Sequence, residues 1–147
     1  MRTPTSRGCS RSFPAKATAA GLAMTATVTL LSDPAEAGPV GEQVIVGDVT
    51  FTQNGNQWVI TASDGSIIDY ISFDVLANES VQFIQPGEMA RVLNRINSAE
   101  PTQILGTLSS NGVLYFVNPS GVIFGQGATV DVAGIVAAAG SISNDDF

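Results

Sequence analysis

Histidine is absent from the 147-residue chain, and cysteine and tryptophan each occur once. Without histidine, neither a Ser-His-Asp triad, a Cys-His pair nor a histidine-based metal site can form. Aromatic residues make up 7% and charged residues 13% of the chain, whereas 15 glycines provide frequent turn points. This composition favours a domain of many short strands over one of long surface helices.

Most of the scarce positive charge lies at the N-terminus, where four of the six basic residues are Arg2, Arg7, Arg11 and Lys16. Residues 17–31 then carry no charge, and Ala35-Glu36-Ala37 before Gly38 fits the small-x-small pattern that signal peptidase accepts. A membrane anchor fits less well, because about 15 uncharged residues fall short of the roughly 20 that a spanning helix needs. Residues 1–37 are therefore predicted to be a secretory signal peptide, with Ala35, Ala37 and Gly38 marking the cleavage site.

The remaining residues, 38–147, are acidic: they carry eleven carboxylates and two basic residues, Arg91 and Arg95. Removing the leader removes Cys9 and Lys16, so the mature chain could form no disulfide, no thiolate metal site and no phosphate-binding loop. We expect no cofactor. An acidic surface also repels nucleic acid and anionic lipid, so no nucleic-acid partner is expected.

Short β-type runs separated by turn pairs begin after the leader. Residues 43–51 precede Asn54-Gly55, residues 58–61 precede Asp64-Gly65, and residues 66–73 follow. Apolar and polar residues alternate within these runs, as expected for strands with one buried face. From residue 106 onward, glycines separate the apolar runs more closely, which favours an irregular coil of parallel strands.

One stretch has helical spacing. After Pro86-Gly87, apolar residues recur at i, i+3, i+4 and i+7: Met89, Val92, Leu93 and Ile96. This spacing predicts one short helix of about three turns that ends before Pro101. Arg91 and Arg95 lie off the apolar stripe, so we expect both arginines to face solvent.

The most specific motif is the turn Asn118-Pro119-Ser120-Gly121, which follows an apolar strand and precedes another. Pro119 presets φ for a turn, Gly121 can adopt positive φ, and the Asn118 side chain can bond to nearby backbone. A purely structural turn explains these residues at least as well as a binding role does. We interpret the motif as one that shapes a turn of the coil.

Residues 111–125 around this turn resemble the Asn-Pro-Asn-Gly signature of the two-partner secretion (TPS), or haemagglutination-activity, domain of the filamentous haemagglutinin family. The departure is Ser120, where that family usually has Asn. Similar segments occur in the same order at residues 43–51, 69–73, 94–96, 101–106 and 125–128. The resemblance covers roughly residues 41–147.

The resemblance implies an all-β fold: a right-handed parallel β-helix, a single-stranded solenoid with one short helix. It also implies a secretion-targeting module at the N-terminus of a large exported adhesin or exoprotein, secreted or held at the cell surface. After signal peptidase and the inner-membrane export machinery have acted, an outer-membrane TpsB-type β-barrel transporter would capture the module through periplasmic recognition domains. In this interpretation Asn118, Pro119, Ser120 and Gly121 matter to secretion only through the turn they form.

Domains of this family usually run well past the position of Phe147. We therefore expect residues 38–147 to be the N-terminal part of such a domain, a truncated β-helix that is monomeric.

Two other functions stay open at this stage: a self-contained extracellular adhesive or ligand-binding β-helix and, less favoured, a polysaccharide-cleaving β-helix enzyme. An enzyme would need paired carboxylates, and Asp64, Asp69 and Asp74 are spaced by odd intervals that place neighbours on opposite strand faces. A sugar-stacking platform could use five aromatic residues, but core packing is their more ordinary role: Trp58, Phe73, Tyr115, Phe116 and Phe124.

Overall fold

The computed structural model describes residues 38–147 as a nearly all-β unit. Its only helical element is a 3₁₀ turn at Asn144–Asp146. The twelve strands are β1 (Gly38–Val40), β2 (Gln43–Val46), β3 (Val49–Asn54), β4 (Gln57–Ala62), β5 (Ser66–Tyr70), β6 (Ser72–Asp74), β7 (Ser80–Ile84), β8 (Arg91–Ile96), β9 (Thr102–Ile104), β10 (Thr107–Val117), β11 (Val122–Phe124) and β12 (Thr129–Ala138).

The strands stack in three columns that the chain visits in the same order on each turn. Column A contains β4, β7 and the first parts of β10 and β12, all parallel. Column B contains β5, β8 and the second parts of β10 and β12, also parallel. Column C contains β6, β9 and β11, joined by the β9–β11 pair and the Val75–Ile104 bridge. The chain therefore forms a parallel β-helix of about four turns, as predicted.

Register places like side chains above one another along each column. Leu108 of β10 pairs with Val81 of β7 in column A, and both side chains are fully buried. Leu114 of β10 likewise pairs with Val92 of β8 in column B. Because parallel strands in register keep their side-chain parity, these stacks fill the interior with branched apolar groups.

The N-terminal turn is closed by a cap of antiparallel strands. β1 pairs with β6 in column C, β2 with β5 in column B, and β3 with β4 in column A. The cap thus visits the columns in the reverse of the order used by the helix. The predicted turn at Asn54-Gly55 forms the β3–β4 hairpin, and Gly55 adopts the positive φ of 57° that a tight hairpin requires.

Aromatic side chains fill the centre of the solenoid. The Phe73 ring makes an edge contact with Tyr70 at 5.1 Å and with Phe116 at 5.0 Å, and it stacks on Phe83 at 6.5 Å. All four side chains are fully buried. Edge and offset contacts of this kind stabilise aromatic pairs by about 0.5–1.5 kcal/mol beyond area burial.

The predicted helix over residues 89–96 is wrong, because Arg91–Ile96 is strand β8. β8 lies between β5 and β10, with Val92 and Ile96 facing the interior and Leu93 packing on the outer surface. A strand covered on both faces carries apolar residues at both parities, which reproduces helical spacing by chance. Met89 does not belong to the stripe at all, since it is 85% exposed.

The expectation that both arginines face solvent is confirmed for Arg91 and wrong for Arg95. Arg91 is exposed, whereas Arg95 is half-buried and its Nε donates to Asp69 Oδ1 at 2.6 Å. Over residues 38–147, no helix is long and apolar enough to cross a membrane.

Candidate functional site

The predicted turn Asn118-Pro119-Ser120-Gly121 lies at the corner where β10 of column B leads into β11 of column C. Gly121 adopts a φ of 102°, and its N–H donates to Asn118 O at 2.9 Å, which closes a four-residue turn. Pro119, at the tip, is exposed. The structure therefore brings the four motif residues together as one corner of the solenoid.

The Asn118 side chain is fully buried and uses both ends of its amide. Its Nδ2 donates to Glu100 O at 3.1 Å and to Thr102 Oγ1 at 3.0 Å, both in the preceding turn of the helix. Its Oδ1 accepts from Ser120 N at 2.9 Å. Asparagine suits this position because a buried amide needs donor and acceptor partners, and here it finds them.

The backbone of Asn118 continues the linkage towards the following turn. Its N–H donates to Ala138 O at 3.1 Å, and its carbonyl also accepts from Gly140 N at 3.3 Å. One residue therefore joins three successive turns of the solenoid at a single corner.

Ser120, the departure from the usual family residue, has a contact of its own. Its Oγ donates to Ser98 O at 2.9 Å in the preceding turn. A short hydroxyl side chain thus adds a third link between the two corners. The substitution leaves the turn intact.

The three carboxylates considered for catalysis are each held by a separate structural partner. Asp64 Oδ1 accepts from Arg91 N at 2.8 Å, and Asp74 Oδ1 accepts from Gln103 N at 2.8 Å. Asp69 forms the ion pair with Arg95. The three carboxylates bind three different groups of the next turn, which gives each of them a structural role. Among residues 38–147, no cluster of acidic or sulfur side chains has the geometry to hold a metal ion.

Two groups of the described region have shifted pKa values. Burial raises the pKa of the Tyr70 hydroxyl well above its usual value, and the negative charge of Glu42 raises it further. Burial also raises the pKa of the Glu79 carboxyl, against a smaller lowering by a backbone hydrogen bond at Leu76. Neither group belongs to the Asn118 turn, and a pKa that differs between the folded and unfolded chain makes stability depend on pH.

Sequence reasoning missed four hydrogen bonds between turns, which involve two asparagines, Asn94 and Asn111. Tyr70 Oη donates to Asn94 Oδ1 at 3.2 Å inside the solenoid, and Asn94 Nδ2 donates to Tyr115 O at 3.2 Å. Asn111 accepts from Gln85 N and donates to Gln85 O, both at 2.7 Å. The Asn111-Gly112 pair signals a corner in the sequence, whereas the helical spacing around Asn94 places that residue on a surface.

The aromatic residues considered for a sugar platform do not share one surface. Phe73 and Phe116 are buried, Trp58 and Tyr115 are half-buried, and Phe124 is 42% exposed. Core packing therefore explains most of them.

Two of the predicted cleavage residues, Ala35 and Ala37, lie outside the described residues. Gly38 begins β1, is buried, and has a φ of 91°. A side chain there would collide with the indole of Trp58, so the position requires glycine.

Residues 35–147 match the sequence model of the TPS secretion domain. A Heme/hemopexin-binding protein of Haemophilus influenzae is 39% identical over 100 residues, which are 67% of this chain and 11% of that protein. A second Heme/hemopexin-binding protein of Haemophilus influenzae is 39% identical over 101 residues. The chain therefore spans about a tenth of the length of these curated relatives.

The fold is also similar to a solved structure. The crystal structure of the HMW1 secretion domain from Haemophilus influenzae matches with a TM-score of 0.72 and 35% identity, covering 74% of this chain and 29% of that chain. With the capped parallel β-helix and the Asn118 corner, these matches establish that the chain belongs to the TPS secretion domain family.

Proposed function

We propose that residues 38–147 form the N-terminal part of a secretion-targeting domain, which a cognate TpsB-type outer-membrane transporter captures through its periplasmic recognition domains. The observation that carries the proposal is the family match over residues 35–147, on a β-helix whose first turn is already capped. The family is one of secretion domains of exported exoproteins and is not an enzyme family. Homologous exoproteins are secreted or reach the surface of Gram-negative bacteria.

In this proposal residues 1–37 act as the signal peptide, and signal peptidase cleaves between Ala37 and Gly38 after transport across the inner membrane. Residues 38–147 contain no cysteine, so no disulfide hinders threading of the extended chain through a barrel. The module then acts as a monomer.

Recognition is proposed to use β-augmentation, in which an extended segment adds a strand to a sheet edge of the transporter. β2 supports this idea. It is an edge strand of the eight-stranded sheet, and Val44, Ile45 and Val46 are uncharged and partly exposed. Edge strands in secreted monomers are usually blunted by charge or proline, and β2 has neither.

Folding outside the cell is proposed to begin at the cap and proceed towards the C-terminus. Each turn pairs in parallel with the turn before it, so a completed turn provides a template for the next. The cap closes the N-terminal end, so each later turn extends a structure that is already closed at that end. Folding in this order would draw the chain outward.

A self-contained extracellular adhesive or ligand-binding β-helix is the second candidate. The observation that favours it is a set of exposed apolar residues in the last two turns: Ile123, Phe124, Val130 and Val136. A polysaccharide-cleaving enzyme is disfavoured, because Asp64, Asp69 and Asp74 are each committed to a structural partner.

The test is secretion of a reporter fused after Phe147, with and without the cognate barrel in the same cells. Barrel-dependent export supports the proposal, and export that is equal without the barrel overturns it. A matched fusion carrying residues 1–37 alone controls for the leader, since it should reach the periplasm and stop there.

A further inference from the structure

The last seven residues fold back across the outer surface of column B. After β12, Gly140 turns the chain, and Arg95 holds the returning segment at two points. Arg95 Nη1 donates to Ile142 O at 3.2 Å and to Asn144 Oδ1 at 2.7 Å. We call residues 141–147 the latch.

Phe147, at the far end of the latch, is held by Arg91 and Tyr115 of the domain. Arg91 Nη1 donates to Phe147 O at 3.3 Å, and its guanidinium carbon lies 5.0 Å from the centre of the Phe147 ring. The Tyr115 ring meets the same ring edge-on at 5.1 Å. Phe147 therefore combines a hydrogen bond, a cation–π contact and an aromatic contact.

The surface beneath the latch is apolar. Ile67, Leu93 and Val117 lie side by side on the outer face of β5, β8 and β10, and all three are buried. Ile142 and Phe147 pack against them. We call this surface the groove, with Arg91, Arg95 and Tyr115 along its length.

Hydrogen bonds from two arginines support a specific fit between latch and groove. Arg91 and Arg95 are the two basic residues of the sequence from 38 to 147, and both bind the latch. The latch itself carries Asp145 and Asp146 and has no basic residue. The latch groups that the two arginines bind are the carbonyl oxygens of Ile142 and Phe147 and the side-chain oxygen of Asn144, while Arg95 also keeps its ion pair with Asp69.

The attachment is by side chains, without a backbone ladder. Residues 141–147 belong to no strand, and five of the seven are exposed. A cavity of about 150 Å³, lined in part by Arg95, Pro119 and Ile142, lies beside the latch. Segments held by few side-chain contacts open at a lower free energy than paired strands do.

We propose that the groove is a recognition site for an extended peptide with an aliphatic residue five positions before an aromatic one, and that residues 141–147 occupy it in cis as a displaceable latch. The groove is formed by the first three turns of the helix, which precede the latch in the chain. It therefore stays open until residue 147 has joined the folded domain. The contacts between latch and groove are all within the folded domain, so this proposal does not rest on the secretion function proposed above.

The test uses the mature chain and a fluorescent peptide of residues 140–147 with amidated ends. In the wild-type chain the cis latch competes at an effective concentration in the millimolar range, so the added peptide should bind weakly. Phe147→Ala weakens the latch and leaves the groove intact, so the peptide should bind this variant at least tenfold more tightly by fluorescence anisotropy. Equal affinity for the two chains would overturn the proposal.

Two controls define the site. Adding Arg91→Gln and Arg95→Gln to the Phe147→Ala chain should weaken peptide binding at least tenfold, and an unchanged affinity would also overturn the proposal. Phe124→Ala, which removes an exposed phenylalanine from column C, should behave as the wild-type chain does. Circular dichroism verifies the β fold of each variant, and Asn144→Ala replaces Phe147→Ala if that variant unfolds.

Hydrogen exchange on the unmodified chain gives an independent test. Amides of residues 141–147 should exchange much faster than those of β8, because undocking the latch leaves the ladder intact. Protection equal to that of β8 would mean that the latch opens only with the whole domain, and the proposal would fail.

Discussion

Asn118 Nδ2 lies 3.0 Å from Thr102 Oγ1, and the two side chains form a fully enclosed polar contact between successive turns of the solenoid. The contact stabilises the corner where columns B and C meet. It also explains why the Asn-Pro-x-Gly pattern is informative: the asparagine is the one motif side chain that reaches into the interior. The glycine closes the turn, and the serine adds a link at the surface.

Replacing Asn118 with Ala should destabilise the domain by about 3 kcal/mol, because Thr102 Oγ1 loses its partner in a buried site and the part-buried Glu100 O and Ser120 N lose theirs. The free energy of unfolding, measured by urea titration, tests this. Asn54→Ala, at the exposed hairpin turn, serves as the matched control and should change stability by less than about 0.5 kcal/mol. Equal effects of the two substitutions would contradict the role given to Asn118.

Glu79 should make the domain less stable as pH rises. Its folded pKa is raised by burial, so the folded state holds the proton more tightly than the unfolded chain does. The stabilisation that this tighter proton binding gives the folded state is fully present below the carboxyl's ordinary pKa of 4.5, and it is lost as pH rises through the folded pKa. Glu79→Gln should therefore be more stable than the wild-type chain at pH 7, with the advantage shrinking towards pH 4.

The measurement for Glu79 is the urea midpoint of both chains across that pH range. Glu88→Gln removes one exposed carboxylate and controls for the change in net charge. A Glu79→Gln advantage that did not vary with pH would point to packing instead of ionisation.

Tyr70 should resist titration while the domain is folded. Burial, with a smaller contribution from Glu42, raises its pKa well above 10.0. In a Tyr115→Phe chain Tyr70 is the only tyrosine left, so absorbance at 295 nm reports on it alone. The absorbance should stay flat until alkaline unfolding begins, with circular dichroism changing at the same pH. An early rise with the fold intact would show that the hydroxyl reaches solvent.

Much of this fold can be predicted from the sequence because turns leave local signals. Asn54-Gly55 and Asp64-Gly65 are turns as expected, with positive φ at both glycines, and the alternating runs between them are strands. The Asn118 corner is predictable for the same reason, because Pro and Gly at fixed offsets define a turn without any distant contact.

The failures come from contacts that the local pattern does not contain. β8 resembles a helix in sequence because Leu93 packs outward under the latch while Val92 packs inward, and the latch lies about 50 residues away along the chain. The same distance hides the roles of the two arginines. The buried Asn94 is likewise missed, since its partner Tyr70 comes from another turn.

Gly106 should be essential for stacking of the turns, although its backbone conformation is ordinary. A Cβ at this position would collide with the backbone carbonyls of Leu76 and Glu79 in the preceding turn, and backbone atoms cannot give way as a flexible side chain can. Gly106→Ala should therefore destabilise the domain by about 1–3 kcal/mol, as overpacking does.

Gly127→Ala is the matched control, because nothing lies within 4 Å of the position that its new methyl group would occupy. That variant should equal or slightly exceed the wild-type chain in stability, since alanine restricts the unfolded state. Urea titration of both variants decides the matter: similar losses at the two glycines would mean that chain flexibility, and not the close approach of successive turns, sets the requirement at residue 106.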